Sequence, residues 1–439
     1  FTVVMPMTVT KVKDGHTVEN TATQVTNDKR DKTNTVSNPL KEINPKKDVT
    51  VKVGGDSVDG RSVYLDSTFL YQLDSSILPA DRAYQKIANW GITDQLDPAY
   101  DKATGQWAVY AARDLYRGGE AIAKKGERIA GSGFDSSRLG GDMFTANIDP
   151  STGLVDIQAT QAYLDLVSAD DAHEQGWRAY VQATRVKVTD RHENVFTEHV
   201  NGKDLTSNIV WTRTPDLTPG IKLEKWDRRS GWPKGDRDDS KDALDGAKDG
   251  DVIVFTITNT SKDEDGHGAW FKASDLKLED HTIVGDGEVK DLKYPDNWST
   301  LVLKPGQSVE VTGTLTGFTK DRHTDRAKVT GTPLVECPVV DKDPFGDASG
   351  KPSTGGEAGD GPRQVTVGDR TLCEDTPVES NTDDWNGRRS LLGETGSAIL
   401  PVGVGALLMA GIGAAVVMVR RRKSAHDDKD AALMPRHAA

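Results

Sequence analysis

Cysteine is almost missing. Cys337 and Cys373 are the only two in 439 residues. That excludes a disulfide scaffold but allows one bridge if the chain lies in an oxidising compartment; two unpaired thiols are the alternative. Aromatic residues are scarce at 6%, and hydrophobic residues reach only 35% against 28% charged. Helical periodicity is scarce as well. Basic residues are outnumbered, and the formal net charge of −13 argues against a nucleic-acid partner. Enzyme signatures are absent: there is no G-x-S-x-G, no H-E-x-x-H and no P-loop. The nine His residues are scattered without ligand spacing. The chain is instead rich in Thr, Val, Asp and Gly, a mix that suits several β-sandwiches separated by polar turns.

Long apolar runs are missing too, except at one place. Ser397–Val419 is uncharged and long enough to cross a bilayer. It is preceded by Leu392-Gly393-Glu394-Thr395-Gly396 and followed by Arg420-Arg421-Arg422-Lys423, which should stay cytoplasmic with the tail 424–439. This order resembles the C-terminal sorting signal of Gram-positive surface proteins, cut by sortase between Thr and Gly. The resemblance implies a transmembrane helix before processing, and afterwards attachment to peptidoglycan. An uncleaved single-pass anchor is the alternative. No signal peptide is visible, and Phe1–Met5 reads as mid-strand, so the chain is expected to be part of something longer.

An internal echo divides the remainder. Glu19–Val25 followed by Asn34-Thr35-Val36 is echoed by Glu193–Glu198 followed by Asn208-Ile209-Val210. Both stretches read as hairpins, with turns at Asn27-Asp28 and Asn201-Gly202. Residues 1–44 are then the tail of a preceding domain, and 45–216 a complete domain with a helical insert at Ala169–Ala179. Residues 217–336 form a third domain. The Gly-, Asp-, Ser- and Pro-rich segment 337–391 is expected to be a mostly disordered stalk, pinned in part by the cysteines. Residues 392–423 are the sorting signal. The fold class is all-β: tandem immunoglobulin-like sandwiches, a stalk and one C-terminal transmembrane helix.

Strand side chains alternate, so residues two apart share a face. Lys47 shares one with Val49. Asp94 shares one with Ile92 and Leu96, and Asn208 with Val210. Three polar residues thus fall on apolar faces of one domain. A buried Lys–Asp ion pair with a hydrogen-bonded Asn would satisfy them. So would an intramolecular isopeptide bond, in which the Lys amine displaces ammonia from the Asn carboxamide. That reaction needs burial to lower the Lys pKa and a desolvated Asp to carry protons.

Thr68–Asp74, Leu78-Pro79-Ala80, Ile92-Thr93-Asp94, Gly105–Val109, Gln175–Gln182 and the 193–210 hairpin together resemble the isopeptide-forming C-terminal adhesin domain of the streptococcal antigen I/II family. The resemblance covers nearly all of 45–216. It implies that Lys47 and Asn208 are cross-linked with Asp94 as catalyst, and that Asn34 is the cross-linking Asn of the preceding domain.

The third domain resembles immunoglobulin-like repeat modules of bacterial surface proteins at Pro219–Trp226, Phe255–Asn259 and Leu303–Gly306. A Lys222–Asp325 bond is conceivable there, although Lys222 lies off the Ile221, Leu223 face; two solvated charges are the plainer reading. Asp236, Asp238 and Asp239 have calcium-like spacing without the full loop and its closing Glu. A solvated turn is the simpler account, calcium stays open, and no other cofactor is expected. Trp226, Trp232 and Trp270 are candidates for a carbohydrate or protein contact, with core roles expected for two of them.

The expected function is a cell-wall-anchored adhesin, extracellular and not an enzyme. Its partners would be sortase, peptidoglycan and a host or bacterial surface ligand. The rivals are a pilus subunit and a surface enzyme, such as a glycosidase, with its catalytic domain upstream.

Overall fold

The computed structural model describes residues 2–7, 9–11, 15–82, 86–346 and 362–390. The sorting motif Leu392–Gly396, the apolar run and the basic residues after it lie outside these. Among the described residues no helix is long and apolar enough to cross a membrane.

The fold is all-β. The first element is a hairpin of Thr17–Thr26 and Lys29–Pro39, exposed along its whole length. Asn27 and Asp28 turn it with φ of 46° and 63°. A two-residue hairpin turn of this kind needs left-handed backbone at both positions, which Asn and Asp tolerate best after Gly. Asn201 and Gly202 make the same turn, with φ of 47° and 72°, between Phe196–Val200 and Lys203–Thr206.

The second body has two five-stranded sheets. One runs Lys46–Thr50, Thr68–Asp74, Trp177–Arg185, Asp101–Ala111, Arg128–Gly131. The other runs Phe144–Ile148, Leu154–Ala159, Trp90–Gln95, Phe196–Val200, Lys203–Thr206. Val49, Tyr71, Trp90, Ile92, Trp177 and Phe196 fill the space between them. The helix is Gln161–Ala169, ahead of the expected Ala169–Ala179. Tyr163, Leu164 and Val167 give it a buried face, whereas Trp177, Ala179 and Tyr180 are buried in a strand.

The third body pairs Ile221–Asp227, Val252–Asn259, Ser308–Thr316 and Glu288–Lys293 in one sheet. The facing sheet contains Leu244–Asp245, Asp383–Arg388, Arg322–Gly331 and Lys277–Gly285. Here the expected stalk is corrected for the described residues 337–346 and 362–390, and with it the end of the third domain at 336. Asp383–Arg388 lies beside Arg322–Gly331, and Trp385 is fully buried in the core with Phe255 and Val311. The strand Asp383-Asp384-Trp385-Asn386-Gly387-Arg388 has a single large apolar residue, so composition hid it. Its polar groups are committed inside: Thr324 donates to Asn386 Oδ1 at 2.7 Å, and Asn386 Nδ2 to the Arg237 carbonyl at 2.6 Å.

Cys337 and Cys373 form a disulfide, with Cα atoms 4.9 Å apart. Beyond Cys337 the chain turns back over the second body. Thr68 N–H donates to the Val339 carbonyl at 2.8 Å, and Gln182 Nε2 to that of Asp341 at 2.6 Å. Phe345 is buried against Leu70, Ala108 and Tyr180. This outer contact explains why Thr68–Leu73 is buried on both faces, with Thr68 and Leu70 under the strap and Phe69, Tyr71 and Leu73 in the core.

Candidate cross-link site

The first strand of the second body places Lys47 inward, and Trp90–Gln95 places Asp94 opposite it in the facing sheet. Their side chains are 0% and 1% exposed and form a direct ion pair. Lys47 Nζ also lies 4.5 Å from the centre of the Tyr71 ring. The neighbouring Asp101 is fully buried, paired with Arg185 at 2.6 Å and bonded by the Tyr71 hydroxyl at 2.7 Å. Burial lowers the Lys47 pKa and raises that of Asp94, each partly offset by the other. Both shifts favour a neutral amine beside a neutral acid, the state in which Lys is a nucleophile and Asp a proton carrier.

Asn208 does not complete this cluster. It is exposed and precedes the Val210–Thr214 strand, so the alternation argued from Val210 does not reach it. Its carboxamide grips the Lys47 main chain instead. Lys47 N–H donates to Asn208 Oδ1 at 2.9 Å, and Asn208 Nδ2 donates to the Lys47 carbonyl at 3.0 Å. The amide at the buried carboxyl belongs to Asn194, the last residue of Thr189–Asn194 and 8% exposed. Asn194 helps to offset the burial of Asp94. Yet Asn194 Nδ2 and Asp94 Oδ1 have no partner at full hydrogen-bond geometry. Asn194 Oδ1 accepts from Val195 N–H at 2.7 Å, so the unmet cost falls on the buried Nδ2 alone. The echo that aligns Asn34 with Asn208 also aligns Asn20 with Asn194. Asn20 and Asn34 are both exposed.

The other candidates separate. Lys222 points outward and pairs with Glu224. Asp236 and Asp238 adjoin, but Asp239 caps a short turn by accepting from Lys241 N–H at 3.1 Å. Among the described residues no group of three or more His, Cys, Asp or Glu is placed to hold a metal ion. Trp270 is 8% exposed, Trp226 half-buried and Trp232 54% exposed, so one of the three is buried where two were expected.

Comparison with known proteins defines the class. Residues 44–215 match the family described as "Cell surface antigen C-terminus", and residues 1–40 match "Cell surface antigen I/II C2 terminal domain". The chain carries the C-terminal adhesin domain of the antigen I/II family. An Enterococcus faecalis protein, "Aggregation substance", is 34% identical over 204 residues. That is 45% of this chain but 14% of the relative, so the chain spans a small part of that protein's length. Among solved structures, the C-terminal domain of the Streptococcus pyogenes antigen I/II-family protein AspA is 26% identical, with TM-score 0.39, covering 45% of this chain and 55% of that one. The Streptococcus agalactiae BspA C-terminal domain is 21% identical, with TM-score 0.40, covering 46% and 59%. The family and relatives named here are surface adhesins, not enzymes.

Proposed function

We propose that this chain is the cell-proximal part of a wall-anchored adhesin, a stalk whose second body closes itself with a Lys47–Asn194 isopeptide bond. The observation that carries the reading is the buried Lys47–Asp94 pair with the Asn194 amide beside it. Lys47 passes a proton to Asp94 and attacks Asn194 Cγ as a neutral amine. Asp94 hands that proton to the amide nitrogen, which leaves as ammonia, and takes the second proton from the attacking Nζ, so that Asp94 ends protonated beside the new amide. The product joins the first strand of one sheet to the strand Thr189–Asn194, which pairs with Val210–Thr214 and leads into the facing sheet, by a bond that reduction cannot break. Asn208 holds the first strand in register while this happens.

The anchoring half of the reading rests on the order of motif, apolar run and basic residues over 392–423. Sortase and peptidoglycan are the partners this implies, on an extracellular, cell-surface protein. The surface ligand would be bound by parts of the longer adhesin that lie further from the wall.

Digestion of the full chain and tandem mass spectrometry test the cross-link. The expected result is a branched peptide joining Lys47 to Asn194, lighter than its two parts by one ammonia. Two separate linear peptides at full mass would reduce the cluster to a buried ion pair.

A further inference from the structure

The third body repeats the construction with one change of chemistry. Lys225 lies on the buried face of its first strand with Ile221 and Leu223, and its side chain is fully buried. Two carboxylates face it from neighbouring strands of the opposite sheet. Lys225 Nζ donates to Asp280 Oδ1 at 2.6 Å. It also lies 2.6 Å from Asp325 Oδ1, but outside hydrogen-bond geometry, and neither oxygen of Asp325 has a hydrogen-bond partner. Their side chains are 7% and 1% exposed. One buried cation thus meets two buried carboxylates, an imbalance that is costly if left as it stands.

Strand register identifies the counterparts. In the second body Asp94 is paired with Phe196, and Asn194 stands two residues before Phe196. In the third body Asp280 is paired with Ala327, and Asp325 stands two residues before Ala327. Asp280 therefore takes the place of Asp94, and Asp325 that of Asn194. A His stands two residues before each acceptor, His192 and His323; His323 Nε2 is 3.2 Å from Asp325 Oδ2. The main-chain clamp recurs as well. Asn381 bonds the N–H and carbonyl of Leu223 at 3.0 and 2.9 Å, as Asn208 does for Lys47.

We propose that Lys225 and Asp325 form a second intramolecular isopeptide bond, with Asp280 as proton carrier and water, not ammonia, as the leaving group. Lys225 gives one proton to Asp280, to which it is hydrogen-bonded, and Asp280 passes that proton to an Asp325 oxygen as the neutral amine approaches. Nζ attacks Asp325 Cγ. Asp280 takes a second proton from the attacking nitrogen and delivers it to the departing hydroxyl. Ammonium plus carboxylate thus become amide plus water, with no other reactant. Burial pushes Asp280 up to about 6, which suits a group that must accept and return a proton near neutrality. Burial also works on Asp325, but Lys225 and His323 outweigh it and hold it below its ordinary value.

Intact mass of the full chain, with its disulfide reduced, tests this separately from the Lys47 bond. The expected mass is the sequence mass less one ammonia and one water. Loss of ammonia alone overturns this proposal and leaves the Lys47 reading standing; loss of water alone does the reverse. Lys225→Met should restore the water only. Asp325→Asn should give a product of the same mass as the wild type, because ammonia then leaves and the same amide forms. Water loss that persists in Lys225→Met overturns the assignment. Should that variant fail to fold, a wild-type digest without a branched Lys225–Asp325 peptide does so instead.

Discussion

Two asparagines near Lys47 make opposite predictions, and replacing each by alanine separates them. Asn194→Ala removes the carboxamide beside the Lys47–Asp94 pair; Asn208→Ala removes the clamp on the Lys47 main chain. A Lys47–Asn194 bond closes a loop of about 147 residues, which in the chain-entropy treatment of cross-links stabilises by about 5 kcal/mol. For a body of this size each kcal/mol moves the midpoint by about 2–4 °C, so Asn194→Ala should lower it by roughly 10–20 °C. Asn208→Ala forfeits two hydrogen bonds at the surface, about 1–2 kcal/mol and only a few degrees. Scanning calorimetry of the full chain, read beside intact mass, checks both. Asn194→Ala should lose the ammonia deficit and Asn208→Ala should keep it. If the deficit vanishes in Asn208→Ala and survives in Asn194→Ala, the reasoning from burial is refuted.

Asp94→Ala should abolish ammonia loss and also leave Lys47 buried without a counter-ion, costing about 3–5 kcal/mol; chemical denaturation measures it. Trp385→Ala should cost about 3–5 kcal/mol, and a chain ending at residue 346 should leave the third body protease-sensitive, since the Asp383–Arg388 strand is then missing. Stable folding of that truncation would contradict the strand assignment. Acidity gives a further check. Burial, then Asp238 and Glu224, push Asp383 up from 3.8 to about 8. Its contribution to stability is therefore fully present below its unfolded value and is lost as pH rises through about 8. The third body's midpoint should fall between pH 4 and 8, less steeply in Asp383→Asn.

The sequence was legible where a regular strand carried the residue. Alternation identified Lys47 and Asp94 because Lys46–Thr50 and Trp90–Gln95 are uninterrupted strands. It failed at Asn208, which sits in the irregular approach to a strand, where a period of two has no meaning. The echo of Glu19-Asn20 in Glu193-Asn194 served only to divide the chain, and the buried amide was missed. Lys225 was legible by the same rule that set Lys222 aside, since it shares a face with Ile221 and Leu223. The Asp383–Arg388 strand was not legible. Its buried Asp and Asn are held by hydrogen bonds to distant residues, and no local pattern announces such partners.

The placement of the two clusters has a mechanical consequence. In each body the lysine lies on the first strand, and its partner lies in, or leads into, the opposite sheet. Tension entering at Lys46 or Ile221 would otherwise peel the first strand from its one neighbour, Thr68–Asp74 or Val252–Asn259, a few hydrogen bonds at a time. An amide at Lys47 or Lys225 carries that load across the core before the ladder is stressed. In the third body it arrives at Arg322–Gly331, which is paired with the final strand Asp383–Arg388 through which the chain leaves. The route from first strand to last then needs one covalent step and one strand pair. The Cys337–Cys373 bridge ties neighbouring strands of one small sheet, and the strap that follows Cys337 buries Phe345 on the second body. Reduction, or Cys373→Ser, should destabilise that small sheet and the strap by up to about 4 kcal/mol for a loop of its length. Both amides would survive that treatment.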